Sequence, residues 1–124
     1  MVYKERVIDP DQVNEAVRII QSMSNDQGFS AALVGGIALQ TYGSPRFTKD
    51  VDFIIDSPLS DPGPLRKIAE ISFGGNVYTT PTGVKVALIL RNDEYADLYR
   101  DAILNLVLTP EGIPIVTAEY LAVM

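Results

Sequence analysis

Two acidic residues, Asp50 and Asp52, head the run Asp-Val-Asp-Phe-Ile-Ile over residues 50–55. In an extended chain residues i and i+2 point to the same face, with Cα atoms ~6.6 Å apart. Both carboxylates can then reach one divalent cation, or a pair of cations about 4 Å apart. Carboxylates held this close repel, and a cation is the natural way to keep both ionised. A lone Asp-x-Asp is also how the solvated start of a strand reads, so the motif needs context. Gly35-Gly36 supplies some, because it sits where a buried strand turns into a helix and missing side chains let backbone N–H groups approach a phosphate. Taken alone it reads equally as a tight turn. No Gly-Lys-Ser/Thr follows, so it is not a Walker loop, and it lacks the third glycine of a dinucleotide fingerprint. Arg46, Thr48 and Lys49 lie just before the acidic pair and bring two cations and a hydroxyl that suit a triphosphate, Arg as a fork and Lys as a point charge. On their own they are a solvated loop.

These residues need elements to hold them. Asp9 can cap a helix beginning at Pro10, with Val13, Ala16, Val17, Ile20 and Met23 as one apolar stripe ending before Gly28. Ala31–Val34 reads as a short buried strand, and residues 37–42 as two helical turns before Gly43. Residues 50–55 form a strand that turns fully apolar as it runs inward. After a Pro/Gly-rich break at 57–64, residues 65–71 read as a short amphipathic helix stopped by Gly74-Gly75. Residues 77–80 and 84–90 flank Pro81-Thr82-Gly83 as a hairpin. Asn92 can cap a helix over residues 93–102. The alternation of Leu104, Leu106 and Leu108 leads through Pro110-Glu111-Gly112 into residues 113–116, and a last helix begins at Thr117. The order predicts a small α/β (α+β) domain, a mixed sheet flanked by helices, spanning residues 1–124.

Composition narrows the chemistry. The 124 residues are 47% hydrophobic and 21% charged and include no Cys and no His. A disulfide scaffold, a thiolate zinc site, a Cys nucleophile and a His base are excluded, leaving carboxylates, lysine, hydroxyls or a hard cation bound through oxygen. The net charge of −6 argues against a broadly basic nucleic-acid surface, although a local cluster is compatible with it. The longest apolar stretch, 31–39, contains two glycines and falls short of the roughly 20 residues of a membrane helix. The opening Met-Val-Tyr-Lys-Glu-Arg has no apolar core of a secretion signal, so no membrane association and a cytoplasmic location are the expectation.

The run from Leu33 to Phe53 combines Gly-Gly, Tyr42-Gly43, Arg46-x-Thr48 and Asp-x-Asp. As a joint pattern it resembles the signature of the nucleotidyltransferase-fold superfamily, most closely its abortive-infection (AbiEii-type) toxin branch and the minimal nucleotidyltransferases. The resemblance implies a nucleotidyltransferase-like fold and Mg²⁺-assisted transfer of a nucleoside monophosphate from an NTP to a hydroxyl acceptor. RNA, a protein or a small molecule would be that acceptor, as in a toxin of a toxin-antitoxin pair. By matching position, Gly35 and Gly36 would cradle the triphosphate, Asp50 and Asp52 would ligate Mg²⁺, and Arg46, Thr48 and Lys49 would orient phosphates. Octahedral oxygen coordination suits a site without His or Cys, and in-line displacement depends on positioning and charge neutralisation more than on covalent catalysis.

The sequence departs from that pattern at one place. Active relatives usually carry a third acid on a neighbouring strand, in the region that here reads Gly83-Val-Lys-Val-Ala-Leu-Ile-Leu90. Alternation puts Lys85 and Ala87 on one face and Val84, Val86, Leu88 and Leu90 on the other. Ala87 stands where the third carboxylate would be. Asp93, Glu94 and Asp97 follow, on a segment expected to face water. Two readings compete: Lys85 supplies nucleotide-binding positive charge and catalysis persists, or the domain is an impaired module that binds nucleotide or a partner protein without turnover. A third reading is a structural domain that self-associates through the apolar segment 121–124. Relatives typically continue into helices that receive the acceptor, so an extension missing after Met124 is a further expectation.

Overall fold

The computed structural model describes residues 10–43 and 50–124. Its first element is helix α1, Pro10–Gln27, which buries Ala16, Val17, Ile20 and Met23. Proline at the first helical position has no N–H to leave unpaired. Gly28, at φ 75°, ends the helix in the left-handed region, its N–H donating to Ser24 O at 2.9 Å. The expected Asp9 cap lies outside the described residues.

Strand β1, Ala31–Val34, runs directly into helix α2, Gly35–Thr41, and strand β2 is Asp50–Ile55. The helix takes in both glycines instead of starting after them. Beyond these lie strands β3, Arg66–Glu70, β4, Gly75–Thr79, and β5, Lys85–Ile89. Helix α3, Ala96–Leu104, the two-residue strands β6, Val107–Leu108, and β7, Pro114–Ile115, and helix α4, Ala118–Val123, complete the chain. Among the described residues the strands form one seven-stranded sheet in the order β3-β4-β5-β2-β1-β7-β6. β1–β2, β3–β4, β4–β5 and β6–β7 are antiparallel, while β2–β5 and β1–β7 are parallel. The mixed sheet between helices is the expected fold class.

Alternation along the central strands sorts the core onto two faces. Leu33, Val51, Phe53, Val86 and Leu88 pack with the α1 stripe and with Ile37 and Ala38 of α2. Ala32, Val34 and Ile54 pack on the other face with Ala102 and Ile103 of α3 and with Val116. Asp50 and Asp52 share that second face with Ile54 but stand at the half-buried start of β2. Apolar residues at one end of the strand and acidic ones at the other therefore place the carboxylates at the rim of the core.

One expected element is wrong. Residues 65–71 are not a helix: β3 pairs with β4, with an irregularity between Lys67 and Ala69, and all five β3 residues are exposed. The helical spacing of Leu65, Ile68 and Ile71 covers fewer than two turns, too short to nucleate a helix against competing strand pairing. Gly74-Gly75 is the hairpin turn between β3 and β4, not a helix stop. A side chain at Gly75 would overlap the Leu88 and Leu90 backbone, so glycine is what lets β4 lie this close to β5. α3 also starts three residues later than expected, and Asp93, not Asn92, supplies the side-chain acceptor near its start, taking the Tyr95 N–H at 3.1 Å. No helix among the described residues is long and apolar enough to cross a membrane.

Candidate functional site

The geometry centres on Asp52. In the sheet it stands between Val34 of β1 and Ala87 of β5, in register with both. One position toward the strand end on the same face, Asp50 is in register with Lys85. The side-by-side pairs are thus Asp50 with Lys85 and Asp52 with Ala87, at the strand spacing of about 4.8 Å. The face assignment of Lys85 and Ala87 agrees with the alternation: Val84, Val86 and Leu88 are buried in the first core, while Lys85 is exposed.

Gly35 closes the site from the other side. Its φ is 72°, and a Cβ there would overlap Asp52 Oδ2 and lie 3.0 Å from Cγ. Both the turn out of β1 and the close approach of a carboxylate demand a residue without a side chain. Burial, and then the neighbouring Asp50 carboxylate, push the Asp52 carboxyl up to about 6. Such a carboxyl, pressed between low-dielectric walls and a like charge, becomes a stable anion once a cation joins it.

Beside this contact opens a cleft of about 260 Å³, walled by Val34, Gly35, Leu39 and Asp52 together with Tyr99 and Leu121. α2 and the end of β7 are tied together near it, Tyr42 donating its hydroxyl to Val116 O at 3.0 Å. Burial, reinforced by the charge of Glu119, raises the pKa of that hydroxyl.

Of the residues singled out in the sequence, the structure brings Gly35, Asp50, Asp52 and Lys85 to one end of one sheet face, with Gly36 following Gly35 in α2. Arg46, Thr48 and Lys49 lie outside the described residues. The acids after β5 do not replace a third ligand. Asp93 binds Arg91, its Oδ1 accepting from Nε at 3.0 Å, and exposed Asp97 accepts from Arg100 at 2.8 Å. Among the described residues there is no group of three or more acidic side chains able to hold a metal ion. The sequence reading missed a cluster around Arg91, whose guanidinium lies over the rings of Phe73, Tyr95 and Tyr99. Its only local signal is the i, i+4 spacing of Tyr95 and Tyr99, since Phe73 arrives from a distant turn.

No protein-family model and no curated protein matches the chain. Solved structures do. A nucleotidyltransferase-like antigenic protein from Paracoccidioides brasiliensis superposes with a TM-score of 0.56 at 14% identity, covering 93% of this chain and 65% of that one. The Thermotoga maritima CCA-adding enzyme, solved in complex with tRNA, superposes with a TM-score of 0.52 at 20% identity, covering 91% of this chain and 30% of that one. The fold is therefore nucleotidyltransferase-like, and the chain spans under two thirds of the length of either neighbour.

Proposed function

We propose that this protein binds a nucleoside triphosphate together with Mg²⁺ at Asp50 and Asp52 and transfers the nucleoside monophosphate to a hydroxyl acceptor. The observation that carries this reading is the contact of Asp52 with Gly35, which unites two separate sequence motifs, the glycine turn and the acidic pair, at the mouth of one cleft.

The donor set fits a hard divalent cation. Its oxygens come from two carboxylates on one strand face, one of them driven toward protonation by burial and a like charge. Mg²⁺ is commonly held by one or two carboxylates and completes its shell with waters and substrate phosphates, so two protein ligands suffice. When bound, it would neutralise charge on the phosphates. The chain's own residues do the rest. Asp50 and Asp52 would hold the cation, the Gly35-Gly36 turn would cradle the phosphates, and Lys85 places a positive charge beside Asp50. Arg46, Thr48 and Lys49, which precede Asp50 in the sequence, would orient the phosphates. Transfer by in-line displacement then requires alignment and charge neutralisation, with little covalent chemistry from the protein. RNA or a protein hydroxyl is the proposed acceptor class, and a toxin of the abortive-infection type is the proposed biological form. The tRNA bound to the CCA-adding neighbour supports an RNA acceptor.

A second reading rests on Ala87. Its position beside Asp52 leaves the pair without a third carboxylate from β5, which favours a module that binds nucleotide, or a partner protein, without turnover. One experiment separates the two: titrate the protein with ATP, CTP, GTP and UTP, with and without Mg²⁺, while measuring pyrophosphate release and transfer of label to added RNA. Transfer that falls to background in Asp52→Asn is the expected result. Mg²⁺-dependent binding without pyrophosphate supports the module, and no binding of any nucleotide removes the transferase and the nucleotide-binding module, leaving only a module that holds a partner protein.

A further inference from the structure

We infer that the groove beside the acidic site is a nucleobase subsite, built on the stack of Arg91 with Phe73, Tyr95 and Tyr99. The inference rests on the proposed nucleotide binding and adds the part of the ligand that the carboxylates do not reach. Arg91 follows β5, Phe73 sits in the β3–β4 turn, and Tyr95 and Tyr99 lie at and within the start of α3. The guanidinium carbon is 4.1 Å from the Phe73 ring centroid and 5.0 Å from those of Tyr95 and Tyr99. Asp93 fixes the plane through both of its oxygens, one accepting from Nε and the other from Nη2.

Three features point to a flat, uncharged ring as the occupant. The first is charge: Arg91 is already neutralised by the fork of Asp93, so it is a poor clamp for phosphate, and its largely covered guanidinium instead holds the three rings in place. The second is exposure. Tyr95 is 50% and Phe73 36% exposed, and neither belongs to either hydrophobic cluster, so core packing does not account for the aromatic surface they present. The third is continuity and size. The groove measures about 300 Å³ between Arg91, Tyr95, Tyr99 and the apolar Leu98, Val123 and Met124. Tyr99 and Met124 also wall the cleft that holds Asp52, so the groove adjoins the place where phosphates would meet the acidic pair. Bases stack on aromatic and guanidinium planes irrespective of sequence. A platform held rigid before binding loses little side-chain freedom when it is used.

Calorimetry with two probes tests this: the Mg²⁺ complexes of the four NTPs, and Mg²⁺-tripolyphosphate, which has the same phosphates and no base. The wild type should bind at least one NTP roughly five- to hundredfold more tightly than tripolyphosphate, the span of one stacked base. Tyr95→Ala should erase that margin and leave tripolyphosphate binding unchanged, while Tyr95→Phe, which keeps the ring, retains it. Far-ultraviolet circular dichroism of both variants confirms that they fold. Equal binding of tripolyphosphate and every NTP by the wild type overturns the subsite, as does a margin that survives Tyr95→Ala. Asp52→Asn is the separate control. It should weaken both probes together, and if it weakens neither, the acidic-pair assignment fails while the base margin is still read from Tyr95. A wild type that binds neither probe overturns both.

Discussion

Gly35 does two jobs that no other residue can combine. It turns the chain from β1 into α2 at φ 72°, and its bare Cα accepts the Asp52 carboxyl at contact distance. Gly35→Ala therefore meets a backbone penalty and a steric one together. It should destabilise the fold by about 1–3 kcal/mol, measured by urea denaturation, with nucleotide binding reduced in the fraction that remains folded. Alanine at Gly43 is the informative comparison. Gly43 also has a left-handed φ, 95°, but among the described residues nothing lies within 4 Å of an added Cβ, so its expected cost is the backbone penalty. The difference between the two substitutions isolates the Asp52 contact.

At the scale of elements, the pairing of β2 with β5 decides how many carboxylates the proposed Mg²⁺ site offers. Parallel register sets Ala87 beside Asp52 and Lys85 beside Asp50, so the strand offers a methyl group and a cation where a third acid would complete the set. Ala87→Asp should restore it. The expected outcome is tighter Mg²⁺ binding by about tenfold or more in calorimetry, and faster pyrophosphate release if transfer is the native activity. In metal-free buffer the same substitution should lower stability, because a third carboxylate joins two that already repel.

The strand bounds were legible in the sequence, but the β2–β5 register was not, and Ala87 was placed beside the acids only through the family resemblance. β1 and β2 begin and end where the sequence puts them, and the Pro81-Thr82-Gly83 hairpin sets β4 against β5. Period-two alternation then assigns faces without knowledge of the sheet. β3 was illegible because its seven-residue window satisfies helical and extended spacing alike, and only the available edge of β4 selects between them. The contact of Gly35 with Asp52 and the stack on Arg91 escaped for another reason. Each joins residues from separate segments, 17 positions apart for the first pair and, for Phe73 and Tyr99, 26, and no local periodicity reports such encounters.

For the molecule as a whole, one carboxyl imposes a pH dependence on stability. Asp52 has its folded-state pKa raised to about 6 from an ordinary value of 3.8. Between those values the folded state holds a proton that the unfolded chain has released, so stability is lost as pH rises through that window and levels off above about 6. Metal-free protein should show its urea midpoint falling from about pH 4 to pH 6.5, and Asp52→Asn should remove that component of the slope. Mg²⁺ bound by the ionised pair acts in the opposite direction. It should raise the midpoint more at pH 7.5 than at pH 5, by mass action on the folded state.

The seating of Asp52 on Gly35 carries one last consequence. With no methyl group between them to act as a cushion, the oxygen has nowhere to recoil toward α2. A shift of the start of α2 toward β2 therefore meets the acid directly. The acidic end of the sheet and the helix beside it are coupled by contact, with no side chain interposed.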